Sequence, residues 1–113
     1  METSEKNDFG QKINYELLLR PQSLFDIEEA YLWYEEKEKN SGLEFIEQIE
    51  TSFERIRSNL FSYQIIKKKL RRALVMKFPF GIFLKIREKE ILIFAVFNSN
   101  RNPKKIVKII SER

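Results

Sequence analysis

The chain has 113 residues, 42% of them hydrophobic and 34% charged, which suits one globular domain with a single core. Cysteine and histidine are both absent, which excludes disulfide frameworks, zinc–thiolate sites, cysteine nucleophiles, Ser-His-Asp triads and any imidazole base. Residues 1–56 hold 6 Lys/Arg against 14 Asp/Glu (−8), and residues 57–113 hold 15 against 3 (+12), so the net charge of +4 hides a split that points to an anionic partner for the second half.

Residues 1–12 are polar and read as a flexible tail, followed by a single domain over 13–113. Ile13 to Leu19 has the length and apolar content of a strand and is stopped by Pro21, which can open a helix because the first turn does not need its missing N–H. Residues 22–39 are predicted to be helical, with Leu24, Ile27, Tyr31 and Tyr34 on one face. Asn40-Ser41-Gly42 breaks the pattern. Ser41 and Glu44 have the form of a capping box, and Leu43, Ile46, Ile49, Phe53, Ile56 and Leu60 predict a second helix. Two helices joined by so short a break should form an antiparallel hairpin.

The second half is strand-like over 70–78, 80–87 and 90–98, with Lys67-Lys68-Lys69 in the loop before them. The expected fold is therefore α+β: an N-terminal strand, an antiparallel helix hairpin, and a three-stranded antiparallel meander. In the first of these strands Arg71, Ala73, Val75 and Lys77 should share a face, opposite Arg72, Leu74, Met76 and Phe78. In the second, Phe83, Lys85 and Arg87 oppose Ile82, Leu84 and Ile86. Ile91 to Phe97 is apolar without alternation, which predicts a strand buried on both faces. Asn98 to Pro103 is turn-rich, and Lys104 to Arg113 is either a short helix or a closing strand, the helix being preferred.

Four segments then resemble the RelE/ParE family of bacterial toxin–antitoxin systems. Trp33-Tyr34-Glu35-Glu36 is similar to the family's Trp-Tyr-Glu element late in its first helix. Gly42-Leu43-Glu44-Phe45 resembles the Gly-x-x-Phe start of its second helix. Arg72 through Phe78-Pro79-Phe80 resembles its pattern of Arg, five residues, then Phe-Pro-Tyr. Ile93 to Asn98 with Arg101-Asn102-Pro103 is similar to its ending of an apolar strand, His, then Arg and Pro. The resemblance spans roughly 13–105.

It implies a small toxin neutralised by an antitoxin. RelE-like members cut mRNA on the ribosome, whereas ParE-like members are directed at DNA gyrase. Asn98 stands where many relatives have His, and Phe80 where many have Tyr. Asn exchanges no proton near neutral pH and Phe has no hydroxyl. The ParE-like reading is therefore favoured over an enzyme, with an mRNA endoribonuclease using Arg72, Lys77 and Arg101 as the alternative. A degenerate member that only binds its antitoxin, or a general nucleic-acid-binding domain, would also fit. The expected partner- or target-binding residues are Arg71, Arg72, Lys77, Phe83, Lys85, Arg87, Asn98 and Arg101. Together they would rim an apolar strip on the sheet face away from the hairpin, suited to an acidic, amphipathic antitoxin segment.

No metal-ligand pattern or cofactor motif is found, and none is expected. No run of eighteen apolar residues occurs, and Met1 to Asp8 lacks the basic and apolar regions of a secretory signal, so a cytoplasmic protein without a membrane span is expected.

Overall fold

The computed structural model describes residues 15–113. The expected tail over 1–12 and Ile13, the first residue of the expected N-terminal strand, lie outside them. Chain order is β1 (Glu16–Leu19), α1 (Pro21–Lys37), α2 (Ser41–Ser58), a 3-10 turn (Leu60–Ser62), β2 (Gln64–Lys67), β3 (Leu70–Leu74), β4 (Phe80–Arg87), β5 (Glu90–Asn98) and α3 (Pro103–Ser111). The sheet order is β1-β5-β4-β3-β2. β1 runs parallel to β5, and the remaining neighbours are antiparallel. The class is α+β, as expected.

β5 sets the layers. Ile91, Ile93 and Val96 lie under the α1/α2 hairpin with Ile82, Leu84, Ala73 and Val75, while Ala95 and Phe97 form a second cluster with Leu70, Phe83 and two residues of α3, Ile106 and Ile110. The switch between faces comes from a bulge. Leu84 pairs with Ile93 and Phe83 with Ala95, so Phe94 is an extra residue. The bulge puts Phe94 and Ala95 on the α3 side together, which explains why the strand shows no simple alternation.

The hairpin turn is made differently from the expected capping box. Asn40, not Ser41, precedes α2, in the left-handed region at φ 72°, and no side chain of its own caps the helix. Asn is among the residues that tolerate this region. The cap comes from α1: the Glu35 carboxylate accepts from Asn40 N (2.9 Å) and Gly42 N (3.0 Å). A carboxylate at a helix N-terminus meets both free N–H groups and the positive end of the helix dipole. Gly42 permits the close crossing, since a Cβ there would stand 2.7 Å from the Tyr31 carbonyl oxygen.

Several details depart from expectation. The hairpin's inner face is Ser23, Ile27 and Ala30 on α1 and Phe45, Ile49, Ser52 and Ile56 on α2, whereas Leu24 and Leu43 are each 55% exposed. The small residues Ser23 and Ala30 let α1 lie close to β5, which turns the larger Leu24 outward. Strand β3 stops at Leu74 rather than 78, because Val75 N donates to Phe80 O (2.9 Å) and closes a loop in which Lys77 adopts φ 70°. Lys77 is therefore on a loop and not on the strand face with Ala73. Lys67 ends an additional strand, β2, and Lys68 and Lys69 turn the chain into β3. The antiparallel part thus has four strands instead of three.

Replacing Glu35 with Ala should lower stability by about 1 kcal/mol, the usual cost of losing an N-terminal cap. Ser41→Ala should leave it unchanged, because the Ser41 hydroxyl makes no hydrogen bond among the described residues. Urea unfolding of both variants checks this, and the capping-box arrangement would give the opposite order.

Candidate partner-binding site

β1 is four residues long, so it covers β5 only from Glu90 to Ile93. Pro21 begins α1 at that point, and the last backbone bond is Arg20 N to Ile93 O (3.1 Å). Next along the edge, two backbone groups of β5 are met by side chains. Val96 N donates to Asp26 Oδ2 (3.0 Å), and Arg113 Nη1 donates to Phe94 O (3.0 Å). Arg113 also grips Asp26 with both terminal nitrogens, at 2.7 and 3.0 Å. The two side chains are only 16% and 9% exposed. Arg20 Nη2 donates to the Arg113 carbonyl (2.9 Å), and the Arg113 guanidinium lies 4.8 Å over the Phe97 ring. This latch ties α1, β5 and the chain after α3 together, and blunts an edge that could otherwise recruit a foreign strand.

Beyond the latch, a cleft of about 530 Å³ opens between α1 and the loops at the end of β5. Asp26 and Val96 lie at its inner end, and its walls include Trp33, Tyr34, Pro79, Phe80, Asn98 and Arg101. Trp33 is 55% exposed and stands edge-on to Tyr34 at 5.0 Å, with Lys37 Nζ 5.1 Å over its ring. Arg101 is exposed, its guanidinium 4.5 Å over Phe97. Asn98 Oδ1 accepts from Asn100 N (2.8 Å), and Ser99 N donates to Pro79 O (2.7 Å), so both loop walls are braced. Burial pushes the Tyr34 phenol above its ordinary range, which keeps it neutral and suits it to packing. The cleft offers an indole face, a guanidinium and apolar walls, groups of the kind enriched at protein interfaces.

The expected site residues scatter. Asn98 and Arg101 meet at the cleft. Arg72, Phe83 and Lys85 lie on the α3 side of the sheet, with Lys85 Nζ 5.2 Å over Phe94. Arg71 is on the hairpin side and donates to the Tyr63 carbonyl (2.8 Å). Arg87 is exposed and paired with Glu90 at 3.1 Å. Lys77 sits on the loop before β4. Phe83 is 1% exposed beneath α3, so the apolar strip expected to await a partner is covered by the chain's own helix.

Trp33 is not among the expected site residues, and its exposure at the cleft is the feature missed. The signal for it is that Ser23, Ile27, Ala30 and Tyr34 recur at helical spacing, which turns Trp33 to the flank. Asp26 and Arg113 were also missed, since nothing local joins residues 87 apart. A second groove, lined by Pro21, Leu24, Phe25, Tyr31 and Ile46, runs along the outer hairpin.

No family model matches the chain, and no curated protein matches it. Among solved structures it is similar to a chain of the "Chromosomal ParDE TA system from P. aeruginosa", with a TM-score of 0.69 and 14% identity over 77% of this chain and 98% of that one. The two share a fold; at this identity no residue role carries across.

Arg113→Ala should destabilise the protein by roughly 3 kcal/mol, because it leaves a largely buried Asp26 without its cation. The Asp26→Ala/Arg113→Ala double variant should lose clearly less than the two single losses added. A double-mutant cycle by denaturant unfolding tests the pair, and simple additivity would show that the two residues act separately.

Proposed function

We propose that this protein is the toxin of a type II toxin–antitoxin pair, of the ParE-like kind, which arrests growth by contact with DNA gyrase and is silenced by a cognate antitoxin. The observation that carries the reading is the fold shared with a ParDE chain over nearly all of that chain's length. The four motifs, in their order along the chain, support it. The make-up of the cleft supports contact over catalysis. Where RelE-like cleavers carry His and Tyr it presents Asn98 and Phe80, beside Trp33 and Arg101; of the proton-exchanging groups in its lining, Asp26 is held by Arg113, which leaves Glu29 and Tyr34.

The antitoxin segment docks at this cleft, with an apolar anchor against Trp33 and Phe80 and a carboxylate on Arg101. It approaches by side chains, because Asp26 and Arg113 already occupy backbone groups at the β5 edge.

Induction of the protein alone should stop bacterial growth, and co-expression of the antitoxin should restore it. Mapping of transcript 5′ ends after induction should show no accumulation of cuts within translated codons; abundant cuts would establish the ribonuclease reading instead. Unchanged growth at good yield would leave a chain that only binds its antitoxin. Trp33→Ala should weaken the antitoxin complex by about 30-fold, the scale of a buried Trp anchor worth about 2 kcal/mol. Arg101→Glu should slow association and reduce its salt dependence. Wild-type affinity in both variants would place the antitoxin elsewhere.

A further inference from the structure

We infer that the outer face of α3 is a binding site for the phosphodiester backbone of nucleic acid, separate from the cleft. α3 divides into two sides. Ile106 and Ile110 face the sheet, each 4% exposed, while Lys104, Lys105 and Lys108 point away from it and are exposed. None of these three makes an ion pair among the described residues; the pairs found there are Arg57–Glu54, Arg87–Glu90 and Arg113–Asp26.

Folding alone does not account for this arrangement. Lys104 and Lys105 stand in the first turn of α3, which holds no acid, so they repel the positive end of the helix dipole. The Asn102 side chain already caps the helix by accepting from Lys104 N (2.8 Å). A bound phosphate would relieve the repulsion, since both cations would then meet an anion at the positive end of the dipole. The setting is basic as well. Arg72 and Lys85 lie on the same side of the sheet, and residues 57–113 hold 15 Lys/Arg against 3 Asp/Glu. Glu112, just past the far end of α3, is the acid nearest in sequence.

A basic amphipathic helix can also lie on an anionic membrane, but it does so by burying its apolar face in lipid. Here that face is taken up by Phe83, Ala95 and Phe97. A polyanion that needs only the charged side is the better fit. Backbone contacts of this kind read no sequence, so the site should accept unrelated sequences.

The test is fluorescence anisotropy of the full chain with a 20-base-pair DNA duplex of arbitrary sequence and with a single-stranded RNA of equal length, each titrated with salt. Three phosphate contacts give a log–log slope of about −2.7 on duplex DNA. Lys104→Gln/Lys108→Gln should reduce the slope to about −0.9 and weaken binding equally for unrelated sequences. Lys37→Gln/Lys39→Gln, on the opposite layer, should change neither. Comparison of the duplex and RNA arms identifies which source of the phosphodiester is preferred. Three results would each overturn the inference: no salt-sensitive binding to either probe at low salt, equal losses from both double variants, or tighter binding to phosphatidylserine vesicles than to nucleic acid. Circular dichroism of each variant confirms an unchanged fold.

Discussion

Strand β5 is apolar on both sides and cannot be left facing water on either. Ile91, Ile93 and Val96 need one cover, and Ala95 and Phe97 need another. Burial of each large side chain contributes about 1.5–3 kcal/mol, so both layers are required if the strand is to gain what its composition offers. The hairpin supplies one layer and α3 the other. The bulge at Phe94 changes which residues face which layer, and the same stretch of β5 receives Asp26 and Arg113 at its edge. The latch therefore joins the two layers at the strand that needs both.

The segments that resemble the toxin family turn out to be largely structural. Tyr34 stacks on Phe45 at 5.5 Å and meets Phe78 edge-on at 4.9 Å, and Phe45 and Phe80 lie 5.0 Å apart. Glu35 caps α2 beside Gly42. Three of the four segments thus converge on one corner, where the hairpin turn sits over the β3–β4 loop. A resemblance built on such residues identifies a fold more securely than a target. Trp33, Asn98 and Arg101 border that corner and line the cleft.

This explains how much could be read beforehand. The hairpin, the doubly buried strand and the class of fold follow from periodicity, which reports local burial. The strand Gln64–Lys67 escaped because it is a short edge strand ending in lysine, and edge strands carry such residues without losing their pairing. The register of the hairpin faces depended on how closely α1 could approach β5, a matter of Ser23 and Ala30 rather than of the larger apolar residues. Lys77 was read as strand because nothing in its side chain announces a left-handed backbone. The covering of Phe83 by α3 and the Asp26–Arg113 pair are long-range, and spacing along the chain does not encode them.

Charge follows the layers. The acids of the first half lie largely on the hairpin and the cations of the second half on the sheet and α3, so the two layers carry opposite charge. The cleft lies where these layers meet, and the proposed function takes it as the point of contact with another macromolecule. The most direct test is a supercoiling assay with purified DNA gyrase and relaxed plasmid. Added protein should inhibit supercoiling in proportion to its concentration, and the antitoxin should abolish the effect. Full supercoiling activity at a large excess of folded protein, with translation blocked in a parallel extract, would contradict this account.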